Sequence, residues 1–172
     1  MFLRSKISIK EVFMKKLTFI LFLFFILFSL SAQINTDADT MINFDLTLKN
    51  IVIMVESGNA NDIDMDKYII LDGIVSDRKV LASDKENFAG ILEISYGEWE
   101  GLENVAIYKC LIQIQGLEFA SMIPARRSRT PNPEEITLNT HLLILGKYLG
   151  YSEDDSGKKI PVIECSKLRK IN

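Results

Sequence analysis

Hydrophobic and polar positions follow two different patterns along this chain. From Leu17 to Leu30 nearly every residue is Leu, Phe or Ile; from residue 42 onward, short apolar runs alternate with polar positions and are separated by turn-forming residues. The first run follows Lys15 and Lys16 and leads into Ser29, Ser31 and Ala32. A basic head, an apolar middle of about 14 residues and a small-residue exit predict a secretory signal peptide. The run is short for a helix that crosses a bilayer, which needs about 20 residues. An uncleaved membrane anchor is the alternative. Met14 followed by two lysines reads as a better start than Met1, which makes 1–13 an upstream extension. The expected organisation is residues 1–32 as extension and signal peptide, 33–61 as a leader, and 62–172 as the folded domain.

Ile42, Phe44, Leu46 and Leu48 alternate with Asn43, Asp45, Thr47 and Lys49, a period of two that predicts one or two strands over 42–55. Five further runs, 68–75, 90–96, 105–114, 140–149 and 160–168, predict strands. Gly97 and Gly101 bound the turn between the second and third, and Ser152 to Gly157 forms the turn between the last two. Between the third and fourth runs, 117–123 fits a short helix that Pro124, Pro131 and Pro133 keep from growing. Five strands with a helical or irregular insertion between the third and fourth predict a mainly β chain, a Greek-key barrel of the OB type, behind an N-terminal signal helix. Gly73 suits a bend at a barrel corner, and Pro161 places the start of the last run at an edge or bulge. A two-sheet sandwich is the rival architecture.

Composition and charge narrow the function classes. The chain has 172 residues, 48% apolar and 25% charged, with a net charge of −3. Without residues 1–32 it keeps 15 Lys and Arg against 22 Asp and Glu, a net charge of −7. An acidic exported protein has little electrostatic reason to hold nucleic acid, so a nucleic-acid partner is not expected. No phosphate-cradling Gly-rich loop ends in Lys-Ser or Lys-Thr, and two cysteines are too few for a four-thiolate zinc site. No cofactor is expected. His141 is the sole histidine, so neither a metal cluster nor a nucleophile–base set is supported. Asp62, Asp64 and Asp66 begin like a calcium loop, but Lys67 and Gly73 stand where that loop needs Gly and Glu.

Three constellations are candidate sites. Arg126, Arg127 and Arg129 lie on a Pro-rich stretch of an acidic chain, and guanidinium forks match carboxylate or phosphate geometry. The plain alternative is a solvated loop that pairs with Glu134, Glu135 or the acidic turn at 153–155. Tyr96 and Trp99 flank Gly97 in the turn region that borders the ligand face of OB barrels, where aromatic rings stack on bases or sugars. The alternative is an aromatic cap on the barrel end. Cys110 and Cys165 fall on the third and fifth runs, neighbours in such a barrel, and form a candidate disulfide; the alternative is two small buried side chains.

The stretches Leu142-Leu-Ile-Leu-Gly-Lys-Tyr and Val162-Ile-Glu-Cys-Ser-Lys-Leu-Arg-Lys-Ile-Asn resemble the closing hairpin of bacterial periplasmic OB-fold proteins, and the strand with Gly73 is similar to their first barrel strand. The likeness covers 68–172, while the leader and the 117–139 connection are longer here. It implies a non-enzymatic binding module of the periplasm or cell envelope, with a small ligand, a glycan or an envelope protein as partner. The alternative is a structural subunit of an envelope complex that adds its 42–55 strand to a partner sheet.

Overall fold

The computed structural model describes residues 41–84, 86–126, 130 and 132–171. The signal-peptide reading and the choice between Met1 and Met14 lie outside the described residues, as do Arg127 and Arg129. Among the described residues, no helix is long and apolar enough to cross a membrane. The chain divides into two compact units at Ala38/Asp39, and the second, Asp39–Asn172, holds every element described below and their whole common core.

Six strands occur among the described residues: β1 (Ile42–Asn43), β2 (Tyr68–Ser83), β3 (Phe88–Glu100), β4 (Asn104–Gln115), β5 (His141–Glu153) and β6 (Lys159–Lys170). They follow the order β1-β2-β3-β4-β6-β5, and β5 returns to pair with β2. The ring closes because β2 changes partner along its length. Tyr68 to Ile74 pair with β5, and Ile74 to Ser83 pair with β3. Gly73 sits at the changeover: a Cβ there would lie 3.2 Å from the Ser95 carbonyl oxygen and 3.3 Å from Ile94 Cδ1. The parallel β4–β6 pairing, Leu111 opposite Val162 to Gln113 opposite Glu164, completes the wall. Five strands closed in this order form an OB-type barrel, as the run order predicts.

Side chains alternate across each strand, so one residue in two points inward. Ile69, Leu71 and Val75 of β2, Leu92 and Ile94 of β3, Cys110, Ile112 and Ile114 of β4, Leu142 and Ile144 of β5 and Ile163 of β6 are all buried in one cluster. Burying each large side chain contributes roughly 1.5–3 kcal/mol. At Gly146 the β5–β6 approach leaves no room for a side chain, because a Cβ would collide with the Glu164 carbonyl oxygen.

The reading of 42–55 as strand is corrected over most of its length. Only Ile42–Asn43 is a strand, parallel to β2, and Leu48–Glu56 is a helix, α1. Leu48, Ile51, Val52 and Val55 recur at helical spacing and are its buried stripe. Thr47 caps the helix by accepting a hydrogen bond from the Asn50 N–H at 3.2 Å. Four core contacts at a 3.6-residue period outweigh an alternation that ends where the helix starts. Among the described residues the β4–β5 connection is irregular apart from a 3-10 turn, Leu117–Phe119, as the expected short helical or irregular insertion allows. Buried Phe119, Ile123 and Ile136 hold it to the barrel. Arg78 Nη1 donates to the Ile136 carbonyl at 2.6 Å, and Lys170 Nζ donates to the Pro133 carbonyl at 2.7 Å.

Candidate ligand face

β3 and β4 stay in register from Ala89 opposite Gln115 to Glu100 opposite Asn104, but β2 accompanies β3 only as far as Ile74 opposite Ser95. Beyond that row the hairpin continues as an arm, with no third strand beside it among the described residues. Alternation gives the arm two faces. Trp99 stands opposite Val105, and Gly97 opposite Ile107, on the outward face. Trp99 is 71% exposed, and Val105 and Ile107 are exposed beside it. Gly97 leaves this face open between the ring and Ile107, since a Cβ there would meet only Val105 Cγ1 at 3.4 Å. Tyr96, Glu98 and Tyr108 occupy the other face. There Lys49 of α1 pairs with Glu98 at 2.6 Å and lies over the Tyr108 ring, 5.7 Å from its centroid. The hydrogen bond to Glu98 raises the Lys49 pKa above its ordinary value.

The outward face continues down the barrel wall. Ile74, Ser95 and Lys109 form one cross-strand row, and Lys79, Ile91 and Gln113 form another. Between these rows, Glu93 Oε1 accepts hydrogen bonds from Ser76 Oγ at 2.7 Å and Lys109 Nζ at 2.8 Å. Partial burial pushes the Glu93 pKa up, but the Lys109 and Ser76 hydrogen bonds outweigh it and hold the carboxyl below its ordinary value. Its charge is thus matched within the face, and Lys79 forms no ion pair among the described residues.

The structure separates residues that the sequence reading groups. Tyr96 and Trp99 lie on opposite faces of the arm, so they cannot sandwich one ring. Arg126 is exposed on the β4–β5 connection. Glu135, a predicted partner of the arginine loop, is 9% exposed and lies 3.6 Å from Arg78 instead. Cys110 and Cys165 are free buried thiols, which corrects the candidate disulfide in favour of two small core side chains. Desolvation raises both thiol pKa values, that of Cys165 to about 12, so neither is a ready nucleophile. Among the described residues, no group of His, Cys, Asp or Glu is placed to hold a metal ion. Val105, Ile107 and Lys109 escape the sequence reading as site residues. Their signal is the hairpin register, which counts back from the Gly101 turn and sets Val105 against Trp99.

The described residues thus form an OB-type barrel with an exposed aromatic and aliphatic face on its second and third barrel strands. No family model and no curated protein matches the sequence. Solved structures of similar fold include the protein priB from Ralstonia solanacearum, with 13% identity, 60% of this chain and 97% of that chain covered, and a TM-score of 0.38. A Plasmodium falciparum SSB in complex with ssDNA shares 14% identity over 61% of this chain and 94% of that one, with a TM-score of 0.43. A small single-stranded DNA-binding protein from Streptomyces coelicolor shares 6% identity over 60% and 91%, with a TM-score of 0.38. The likeness is one of fold.

These neighbours correct three expectations. They are named for priB, SSB or single-stranded DNA binding, not as periplasmic or envelope proteins. The envelope module for small ligand, glycan or envelope protein and the envelope structural subunit are therefore withdrawn, and so is the exclusion of nucleic acid as a partner. The physical fault lies in using the net charge of residues 33–172 in place of the charge of one face. Stacking on a local apolar face does not require a basic protein.

Proposed function

We propose that the barrel is a non-catalytic binding module for single-stranded nucleic acid, held along the outer face of β3 and β4. The observation that carries this reading is the 71% exposure of Trp99 on a hairpin face shared with Val105 and Ile107. An indole ring held in a β-hairpin loses little freedom when a base stacks on it, and such stacking is worth roughly 1–3 kcal/mol per base. Lys79 and Lys109 lie further down the same face, where a sugar–phosphate backbone would run. Glu98, Glu100 and Glu103 lie near the arm's end and limit phosphate contacts there. Stacking thus supplies most of the affinity, and charge supplies little.

Fluorescence anisotropy of a labelled oligothymidine of about 16 nucleotides tests this with the unit 39–172. Binding is expected, with a salt slope no steeper than about −1.4, the value for two phosphate contacts on a single strand. Trp99→Ala should weaken binding about tenfold. An anisotropy that stays at the free-oligonucleotide value at low salt would refute the reading.

A further inference from the structure

A second apolar surface lies apart from the ligand face. Ile70 of β2, Leu145 of β5 and Lys167 of β6 stand in one cross-strand row, and Asp72, Leu143 and Arg169 in the next, where Asp72 lies 3.5 Å from His141 on the side away from β6. Together with Ile42 of β1, the residues Ile70, Leu143, Leu145, Lys167 and Arg169 line a groove of about 250 Å³. Its floor is aliphatic, Leu143 is 40% exposed, and Lys167 and Arg169 stand on its β6 side. Neither cation forms an ion pair among the described residues. The tip of the β3–β4 arm has the reverse character. Leu102 is 97% exposed there, with Glu100 and Glu103 beside it.

We propose that the groove receives the arm tip of a second copy of this chain, in a two-fold pair that makes the contact twice. An aliphatic knob flanked by two carboxylates matches an aliphatic groove flanked by two cations in both shape class and sign. Both halves of the match sit on one chain, so a second copy always supplies the complementary partner. A single tip in a single groove involves few residues, whereas stable interfaces bury about 1,200–2,000 Å². A two-fold arrangement doubles the contact and closes the assembly, where a one-way contact would propagate into a fibre. The contact uses the tip and leaves the row of Trp99 and Val105 open, so the dimer presents two ligand faces to one long strand.

Sedimentation velocity on the unit 39–172 tests this. One variant reverses the tip (Glu100→Lys with Glu103→Lys), and a second reverses the groove (Lys167→Glu with Arg169→Glu). All four positions are exposed, and circular dichroism confirms that each variant keeps the wild-type spectrum. The wild type should sediment as a dimer. Each variant alone meets like charge at both contacts and should dissociate, with affinity lowered about tenfold or more. An equimolar mixture pairs opposite charges at both contacts and should restore a dimer with one chain of each kind. Leu102→Asp, which leaves every one of those charges in place, should dissociate the wild-type dimer as well. A monomeric wild type at high micromolar concentration would overturn the proposal. So would variants that still dimerise, or a mixture that stays monomeric.

Discussion

The barrel half and the arm half of the β3–β4 hairpin share one register and one alternation of side chains, yet their environments are opposite. In the barrel half, Leu92, Ile94, Cys110, Ile112 and Ile114 are fully buried. In the arm half, Tyr96, Trp99, Val105 and Ile107 remain exposed. The difference is made outside the hairpin. β2 covers β3 only up to Ser95 and then turns to β5, so among the described residues the last rows of the hairpin have no third strand, and the Lys49 end of α1 lies beneath them. Alternation makes a strand two-faced, and a neighbouring element decides whether either face is buried. Apolar residues left uncovered in this way are available for recognition.

Two isoleucines on β4 turn that contrast into a measurement. Ile112→Ala should cost about 2–5 kcal/mol in urea unfolding, because it empties a fully buried site. Ile107→Ala should fall within about 0.5 kcal/mol of the wild type, since its side chain is already in solvent. Equal losses at the two positions would break the distinction between wall and arm. Arg78→Ala comes next, at about 3 kcal/mol, because it strands the buried Glu135 carboxylate and releases the Ile136 carbonyl. Arg78→Ala with Glu135→Leu should recover much of that loss in the same unfolding assay.

Smaller effects sharpen the picture of the face. The folded-state pKa of Glu93 lies below its unfolded value of 4.5. Its contribution to stability is therefore complete above pH 4.5 and is lost as pH falls through the lower folded value. Thermal unfolding followed through that acid range should show a shallower acid decline in Glu93→Gln than in the wild type. The smallest effect is expected at Tyr148, whose buried hydroxyl has no hydrogen-bond partner among the described residues. Tyr148→Phe should be neutral or stabilising by up to about 1 kcal/mol, because the hydroxyl's desolvation is uncompensated.

Strand order was legible because turn chemistry separates the apolar runs, but the turns are shorter than expected: Gly97 to Glu100 belong to β3 and Ser152 and Glu153 to β5, so these hairpins close at 101–103 and 154–158. Strand length was less so. β2 continues through Asp77, Arg78 and Lys79 to Ser83, eight residues past the predicted end, because polar residues are tolerated on a half-exposed wall. The helix α1 was hidden by Leu48, which belongs both to the alternation before it and to the helical stripe after it. The candidate site was legible in part. Trp99 stands out as the sole tryptophan, but its separation from Tyr96 and its partnership with Val105 depend on hairpin register. The end of β2 pairing at Ser95, which frees the face, is set by barrel closure; Gly73 marks the corner beside it, but the sequence does not say which row of β3 lies opposite.

As the sole tryptophan, Trp99 also reports directly on its own face. Its fluorescence, followed while oligothymidine is titrated into the unit 39–172, tests the central claim most directly. The free protein should be readily quenched by acrylamide, and added oligonucleotide should quench the emission further and shield the ring from acrylamide. Emission and acrylamide access that stay unchanged as oligonucleotide rises to high micromolar concentration would contradict a stacking face.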